Sequence, residues 1–225
     1  EKNYPELLPN VSTCRSPMEM FGSVIKEQYK TSSRKIVSVA IMPCTAKKFE
    51  AARPEFKWNE NQQVIDYVIT TQELIQMIKE AGIVFSEIEP ESIDMPFGSI
   101  SGAGVIFGVT GGVTEAVIRR VSSDKSLSAL RTLAFNGVRG LEGTKEITIE
   151  YCGKPLRIGV VSGLKNADKL IRSIKNGEHF DLVEVMACPN GCINGAGQPF
   201  TDRNGIKNRS DALYEADRMC TNKRS

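Results

Sequence analysis

The sequence predicts an α/β fold with at least partly parallel β-sheets. Stretches rich in β-branched apolar residues alternate with amphipathic stretches that begin or end with helix-capping residues, a pattern typical of α/β proteins. Cysteines follow two of the predicted strands, at the carboxyl ends where open α/β sheets bind their ligands. With 225 residues, the chain is long enough for one large domain or two small lobes, and no linker-like segment divides it.

The first half of the chain contains two predicted helices, each of which begins with a capping-box pattern. Ser16 is followed three residues later by Glu19, and Thr70 by Glu73, so each glutamate is placed to bind back to the start of its helix. Two apolar runs predict buried strands in the same half. The predicted helices span 16–29 and 70–82, and the predicted strands span 35–43 and 64–70.

The second half opens with the glycine-rich segment, residues 101–112, which we expect to be a loop. A turn around Gly153 joins two apolar runs and so predicts a strand pair, and Gly177 ends an amphipathic helix. The predicted helices of this half span 113–121, 166–176 and 209–220, and the predicted strands span 146–150, 156–161 and 181–186.

Charge and hydropathy argue against two classes of partner. The chain has 29 lysines and arginines against 27 aspartates and glutamates, and its net charge of +2 is not gathered into a basic stripe. No apolar run approaches the roughly 20 residues of a membrane-spanning helix, and the polar N-terminal residues do not resemble a signal peptide. We therefore expect no nucleic-acid partner and no membrane span.

The six cysteines allow either disulfide bonds or metal binding. Disulfides are typical of small secreted domains, so a chain of this length without a signal sequence favours metal binding at Cys44, Cys188 and Cys192. The other three cysteines lack glycine-rich or paired surroundings, and we interpret them as free thiols. They are Cys14, Cys152 and Cys220.

Cys188 and Cys192 lie four residues apart in a turn with three glycines, directly after a predicted strand. Two thiolates on such a turn suit a soft metal centre, and the glycines let the backbone approach a cluster closely. Buried thiols on a core helix would be a purely structural alternative, but three glycines make a poor helix. Zinc is the other metal option, although it usually needs four nitrogen or sulfur ligands and the single histidine, His179, has no ligand-like spacing.

Cys44 lies just after the predicted strand 35–43, far in sequence from the other two cysteines. Thiolates drawn from distant strand ends indicate an internal metal cluster rather than a local zinc knuckle. Lys47 is either a solvated helix side chain or a cation beside an anionic cofactor ligand, and its spacing does not decide between them. The glycine-rich segment could pass for a phosphate loop, but it lacks the Walker lysine and fits better as backbone packed against a buried centre.

Three long motifs follow one another in the chain. They are Met42-Pro-Cys-Thr-Ala-Lys-Lys-Phe-Glu50, the stretch 97–116 around the glycine-rich segment, and Glu184-Val-Met-Ala-Cys-Pro-Asn-Gly-Cys-Ile-Asn-Gly-Ala-Gly-Gln-Pro199. Together they resemble the catalytic domain of iron-only ([FeFe]) hydrogenases, with the first and third motifs similar to the family's second and third cysteine signatures. Asn190 and Ala196 depart from the family's pattern, which has glycine at both positions.

The resemblance implies two lobes of partly parallel β-sheet flanked by helices, with a metal cluster in the cleft between them. The cluster would be the H-cluster, a 4Fe-4S cubane linked to a two-iron subcluster with CO, cyanide and bridging dithiolate ligands. Cys44, Cys188 and Cys192 would bind the cubane, and Cys192 would bridge to the two-iron unit. The other implied site residues are Lys47, Ser12 and Glu50 as catalytic or proton-path residues, and Met42, Phe107, Met186, Ser101, Gly102 and Ala103 around the cofactor.

The implied activity is a hydrogenase that reversibly reduces protons to molecular hydrogen in an anaerobic cytoplasm. Electrons would come from a ferredoxin-like carrier, and maturation proteins would supply the two-iron unit. Residues 1–225 would be a partial catalytic domain with no separate ferredoxin-like domain. The family's first cysteine signature would lie upstream of Glu1 and its C-terminal tail beyond Ser225, so we expect this polypeptide alone to be inactive.

Two alternative functions remain open at this point. One is a sensory hydrogenase relative that reports hydrogen to a signalling domain. The other is a hydrogenase-like iron–sulfur assembly protein that keeps the cubane cysteines without hydrogen turnover. Lys47, Met42 and Met186 argue against the assembly protein, because a scaffold for a cubane alone would not need them.

Overall fold

A computed structural model describes residues 2–94, 96–98, 100–121 and 137–221, and it confirms the α/β class. The α-helices within these ranges are α1 (Pro17–Gln28), α2 (Ala46–Ala51), α3 (Thr71–Glu80), α4 (Gly102–Val105), α5 (Gly112–Val121), α6 (Leu164–Lys175) and α7 (Arg203–Met219). The strands are β1 (Val39–Met42), β2 (Lys57–Asn59), β3 (Gln62–Gln63), β4 (Tyr67–Thr70), β5 (Thr144–Tyr151), β6 (Lys154–Ser162) and β7 (Leu182–Met186). Short 3₁₀ turns include Ile106–Gly108 and Cys192–Asn194.

Two small sheets contain the parallel strand pairs. In the first lobe, formed by α1 to α3 with β1 to β4, strands β1 and β4 are parallel and Met42 lies opposite Thr70. In the second lobe, formed around β5 to β7, strand β6 pairs antiparallel with β5 and parallel with β7, and Ser162 lies opposite Met186. Strands β2 and β3 form a separate antiparallel pair. Partly parallel sheets flanked by helices are therefore confirmed.

Each lobe has its own apolar core. The first core consists of Met18, Ala40, Ala51, Val64 and Ile65. The second lobe buries one cluster of Ile118, Val138, Ile149, Ile158 and Val160 and another of Val161, Ala167 and Leu170. A smaller cluster of Ile106, Val109 and Ile193 joins the glycine-rich segment to the turn that contains the cysteines. Burial of apolar surface thus anchors the segments on either side of the predicted cleft.

A buried ion pair fixes the chain that enters β1. The Lys26 ammonium on α1 lies 2.5 Å from Asp66 Oδ2 and donates to the Ile36 carbonyl at 3.3 Å. The same Asp66 oxygen accepts the Ser38 backbone N–H at 2.7 Å. β1 is therefore shorter than the predicted strand 35–43. The Ile36 carbonyl and the Ser38 N–H bind the side chains of Lys26 and Asp66, and regular pairing with β4 begins only at Val39.

A second buried charge cluster ties α7 to α5. The Arg119 guanidinium donates to both oxygens of Asp217 at 2.9 and 2.7 Å and also pairs with Glu115. Arg139 donates to Glu115 at 2.9 and 2.8 Å and stacks on the Tyr214 ring at 4.1 Å. Burial raises the pKa of the Tyr214 phenol, so it stays neutral. Bidentate pairs of this kind fix the helix orientation.

Several predicted elements are confirmed with changed limits. Helices at 16–29, 70–82, 113–121 and 166–176 and all the predicted strands are present, but the strand predicted at 64–70 begins only at Tyr67. The final helix starts at Arg203 rather than 209, because the Asp202 side chain caps it by accepting the Gly205 N–H at 2.9 Å.

Two expectations about local structure are wrong. The glycine-rich segment is not simply a loop, because it contains α4 and a 3₁₀ turn, with Ser101 capping α4 through the Gly104 N–H at 3.2 Å. Glu19 does not close the capping box on α1, whereas Glu73 does close it on α3. Among the described residues, no helix has the length and apolar character to cross a bilayer.

Candidate metal centre

The first predicted cysteine lies where the first lobe meets the cleft. Strand β1 ends at Met42, and Pro43 and Cys44 then lead into helix α2. Helix α3 begins next to this point, because β4 ends directly at Thr70, opposite Met42. Cys44 is partly exposed and its thiol is free. Cys44 therefore follows the carboxyl edge of the parallel strand pair.

The other two cysteines lie in the cysteine turn, residues 187–198, at the carboxyl end of β7. The Gly163 N–H donates to the Met186 carbonyl at 2.9 Å and fixes the start of the turn. Gly191 adopts a left-handed φ of 87°, and a Cβ there would lie 2.8 Å from the Thr110 nitrogen. Only glycine lets the turn pack this closely against the glycine-rich segment.

The cysteine turn also packs directly against Cys44. The Gly197 N–H donates to the Pro43 carbonyl at 3.0 Å, and a Cβ on Gly195 would lie 2.1 Å from that carbonyl oxygen. The Gln72 N–H at the start of α3 donates to the Gly197 carbonyl at 3.0 Å. The structure thus brings the three sequence motifs together, with the cysteine turn between the glycine-rich segment and the Pro43–Cys44 backbone.

The Cys192 thiol lies within electrostatic range of the other two thiols and of Lys47. Burial raises the pKa of the Cys192 thiol, the Cys44 and Cys188 thiols raise it further, and the Lys47 ammonium lowers it. A bound metal cation would instead lower the pKa of the Cys192 thiol, since it stabilises thiolates. The donor set therefore fits a cluster ligated by thiolates with one protein cation beside it.

Zinc fits this arrangement poorly. In the described ranges, no group of three or more His, Cys, Asp or Glu side chains is close enough to hold a single metal ion. A four-iron cluster binds each thiolate through a different iron, so its ligands lie farther apart than those of one ion. All six cysteines are free thiols, which also contradicts the disulfide interpretation.

Lys47 lies on α2 and pairs with Glu50, three residues along the same helix. Glu50 also accepts the Ser16 hydroxyl from the N-terminus of α1. Both charged side chains are only about a quarter exposed, at 25% for Lys47 and 23% for Glu50. The position of the Lys47 ammonium is thereby fixed by its ion pair with Glu50.

Glu184 fixes the second lobe's side of the site. This residue on β7 is buried, and one carboxylate oxygen accepts the Gly111 N–H at 2.7 Å. The other accepts the Thr114 N–H and the Thr114 hydroxyl, both at 2.7 Å. A carboxylate at the N-terminus of α5 is favoured by the helix dipole and by the free N–H groups there. The strand that leads to Cys188 is therefore bonded to the glycine-rich segment.

The remaining predicted site residues lie in three parts of the structure. Met42 and Met186 end β1 and β7, and Phe107 lies in the 3₁₀ turn of the glycine-rich segment, all three partly buried. A Cβ on Gly102 would lie 2.1 Å from Asp217 of α7, and Ala103 is fully buried, so this part of α4 packs against α7. Ser12 is exposed, and its hydroxyl accepts the Cys14 N–H at 3.2 Å.

Sequence reasoning missed Glu184 and the second role of Ser16. Glu184 was visible as an acidic residue in the middle of the apolar run 182–186, and a buried carboxylate needs partners. Ser16 was predicted only as a helix cap, and its bond to Glu50 joins residues 34 positions apart. No local pattern encodes a bond of that range.

This α/β fold, with the backbone of the cysteine turn packed against Pro43 of the first lobe and against the glycine-rich segment, defines the class of protein to which the chain is compared. Residues 1–196 match the family described as the iron only hydrogenase large subunit, C-terminal domain. The chain belongs to this family.

Curated relatives fall into two functional kinds. The chain is 43% identical over 96% of its length to the NADP-reducing hydrogenase subunit HndD of Solidesulfovibrio fructosivorans, covering 38% of that protein. It is 39% identical over its whole length to iron hydrogenase 1 of Clostridium pasteurianum, covering 41% of it. It is also 35% identical over 92% of its length to cytosolic iron-sulfur assembly component 3 of Rattus norvegicus, covering 46% of that protein. The chain thus spans less than half the length of each.

Solved structures share the fold over the whole chain. An [FeFe]-hydrogenase described in terms of stepwise H-cluster assembly has a TM-score of 0.77 at 35% identity, with 100% of this chain and 65% of that chain covered. A second, described in terms of oxygen inactivation through the 2Fe subcluster of its H cluster, has a TM-score of 0.78 at 36% identity and is covered over 64% of its length.

Proposed function

We propose that this chain forms most of the protein surroundings of an H-cluster and takes part in reversible hydrogen turnover. The observation that carries the proposal is the close packing of the cysteine turn against Pro43, next to Cys44, and against the glycine-rich segment. The family membership and the structural relatives support it. The H-cluster supplies the redox chemistry, in which two protons and two electrons give one molecule of hydrogen.

The proposed roles of the chain's residues are those that the resemblance to iron-only hydrogenases implies. Cys44, Cys188 and Cys192 would hold the cubane as thiolates, and Cys192 would also hold the two-iron unit. Lys47 directs its ammonium to an anionic cyanide ligand, and Glu50 orients it through their ion pair. The side chains proposed to surround the two-iron unit and exclude water are Met42, Met186 and Phe107, with Ser101, Gly102 and Ala103 completing the support behind them.

Proton and electron supply are part of the same proposal. Ser12 lies on the exposed N-terminal segment and could pass protons from solvent through its hydroxyl. A ferredoxin-like carrier would deliver the electrons, and maturation proteins would deliver the two-iron unit. We place the protein in the cytoplasm because free thiols persist in a reducing compartment. Residues 1–225 act as one partial catalytic domain.

The relatives named as iron–sulfur assembly components favour a second candidate function. Such a protein would hold a cubane through its cysteines without a two-iron unit. The two functions differ in what the site binds beside the cubane, so a spectroscopic test separates them without hydrogen turnover.

The test uses the complete natural polypeptide that contains these residues, reconstituted without oxygen with iron and sulfide and then with a synthetic two-iron cofactor. We expect infrared bands from bound CO and cyanide in the wild-type protein, and we expect Cys192→Ala to lose them. Cys152→Ala, which alters an exposed thiol on the β5–β6 turn, serves as the matched control and should keep them. A cubane signal without CO and cyanide bands in the wild type would favour the assembly function instead.

A further inference from the structure

A buried acid lies beside the Lys47–Glu50 ion pair, on the first lobe's side of the site. Glu19, in the first turn of α1, is 0% exposed. Among the described residues, neither oxygen of its carboxyl group has a hydrogen-bond partner. An ionised carboxylate is strongly disfavoured in such a position, whereas a neutral carboxylic acid is tolerated.

The nearby cations have other partners. Arg15 donates to the Ser23 hydroxyl at 3.4 Å, and its guanidinium lies 5.3 Å from the centre of the Phe56 ring. Lys47 pairs with Glu50. Glu19 therefore lies within the field of both cations without a direct ion pair to either.

The Ser16 side chain connects the backbone of Glu19 to the carboxylate of Glu50. Its hydroxyl oxygen accepts the Glu19 backbone N–H at 3.5 Å, and its O–H donates to Glu50. Burial raises the pKa of Glu19 and the negative charge of Glu50 raises it further, while Arg15 and Lys47 act in the opposite direction. Two carboxyl groups in one partly buried cluster resist carrying two negative charges at once.

We propose that Glu19 stores a proton beside Lys47, so that Glu19 and Glu50 share one negative charge at neutral pH, with the proton on Glu19 and the charge on Glu50. The negative charge on Glu50 then remains the ion-pair partner of the Lys47 ammonium. The use of this proton at the cofactor rests on the proposed function, but the charge state itself does not.

The charge state can be measured by infrared spectroscopy on the complete polypeptide with ¹³C-labelled glutamate. The difference between wild type and Glu19→Gln should contain the carbonyl band of a neutral carboxylic acid at pH 7. Glu27→Gln, an exposed residue of the same helix, is the matched control and should leave that band in place. Absence of the band from the wild-type spectrum at pH 7 would overturn the proposal.

Coupling to Glu50 is tested by the pH at which the band disappears. In Glu50→Gln the neighbouring negative charge is gone, so the band should disappear at lower pH than in the wild type. An unchanged midpoint would also overturn the proposal, because the two carboxyl groups would then not share their charge. Glu60→Gln, a change at an exposed residue outside α1 and α2, should leave the midpoint unchanged.

Stability gives an independent readout. The pKa of Glu19 in the folded protein is raised from its ordinary value of 4.5, so the wild type loses stability as pH rises from 4.5 through the folded pKa. Glu19→Gln does not ionise and should therefore unfold at higher urea concentration than wild type at pH 8, with the advantage shrinking toward pH 4.5. An advantage that does not change with pH would contradict a titrating Glu19. None of these measurements needs hydrogen turnover, so an inactive enzyme would leave them interpretable.

Discussion

The two sides of the candidate site each contain a buried glutamate, Glu184 on β7 and Glu19 on α1. Glu184 accepts three hydrogen bonds from Gly111 and Thr114, so its charge is fully compensated at the N-terminus of α5. Glu19 has none among the described residues and lies next to another acid, Glu50. The buried Glu184 thus holds its neighbours in place in the second lobe. The buried Glu19 is a titratable group without hydrogen bonds to its carboxyl oxygens in the first lobe, among the described residues.

This difference matches what each side of the proposed site must do. The second lobe supplies Cys188 and Cys192, and ligand positions have to be held firmly by a surrounding hydrogen-bond network. The first lobe supplies Lys47, whose ammonium depends on the charge of Glu50. A neutral acid beside this pair leaves the negative charge on Glu50 for Lys47.

The largest expected effect comes from Glu184→Gln. The amide puts a donor in place of an acceptor that faces N–H and O–H donors, so at least one buried donor loses its partner. We expect a loss of about 2–3 kcal/mol in the free energy of unfolding, measured by urea denaturation at pH 7. Glu150→Gln, an exposed change on β5, should cost almost nothing. Glu19→Gln should instead increase the free energy of unfolding at pH 7. A change of the same sign at both positions would contradict the comparison.

The next largest effect is expected where the cysteine turn packs against the first lobe. Gly195→Ala would place a methyl group 2.1 Å from the Pro43 carbonyl oxygen, so the turn must move away from Cys44. We expect a loss of roughly 1–3 kcal/mol in the free energy of unfolding and less iron bound per chain after reconstitution.

Gly104→Ala provides the control for that change. Its added methyl group would lie 3.6 Å from the Ser101 hydroxyl, which is ordinary contact. Iron content in Gly104→Ala should equal that of the wild type. If Gly195→Ala bound as much iron per chain as Gly104→Ala, close packing between the cysteine turn and Cys44 would not be needed for the cluster.

The smallest expected effect concerns Glu73. This residue closes the capping box of α3, whereas Glu19 does not close the equivalent box of α1. Its bonds to Lys48 and to the Thr70 N–H lower its pKa from 4.5 to about 2. Its contribution to stability is therefore present above pH 4.5 and lost as pH falls through about 2, the opposite direction to Glu19. Because the side chain is exposed, Glu73→Gln should differ only slightly from wild type at pH 7 and not at all near pH 2 in urea unfolding. A difference that grew on acidification would contradict this sign.

Glu19 and Glu73 also show how far the sequence could predict the structure. Ser16-Pro-Met-Glu19 and Thr70-Thr-Gln-Glu73 are equivalent as local patterns, and both correctly predict helix starts. The position of each glutamate side chain depends on distant residues, Glu50 for one and Lys48 for the other. Local patterns located the helices but could not decide which acid is buried.

The site was predictable to the extent that it lies in continuous motifs. The cysteines and the glycines that bring the turn close to Cys44 could be identified from strand ends and glycine spacing, whereas Lys47 was assigned only through the family resemblance. The ion pair between Lys26 and Asp66 joins residues 40 positions apart, and the hydrogen bond from Gly111 to Glu184 joins residues 73 positions apart. Contacts of that range depend on tertiary packing, which local sequence patterns do not encode.

Hydrogen evolution from reduced methyl viologen tests the central claim most directly. The complete natural polypeptide, reconstituted with cubane and two-iron cofactor without oxygen, would be compared with its Cys192→Ala and Cys152→Ala variants. We expect hydrogen from the wild type and from Cys152→Ala, and none above background from Cys192→Ala. No hydrogen from a wild-type protein that has taken up its irons would contradict the hydrogenase assignment and favour an iron–sulfur assembly role.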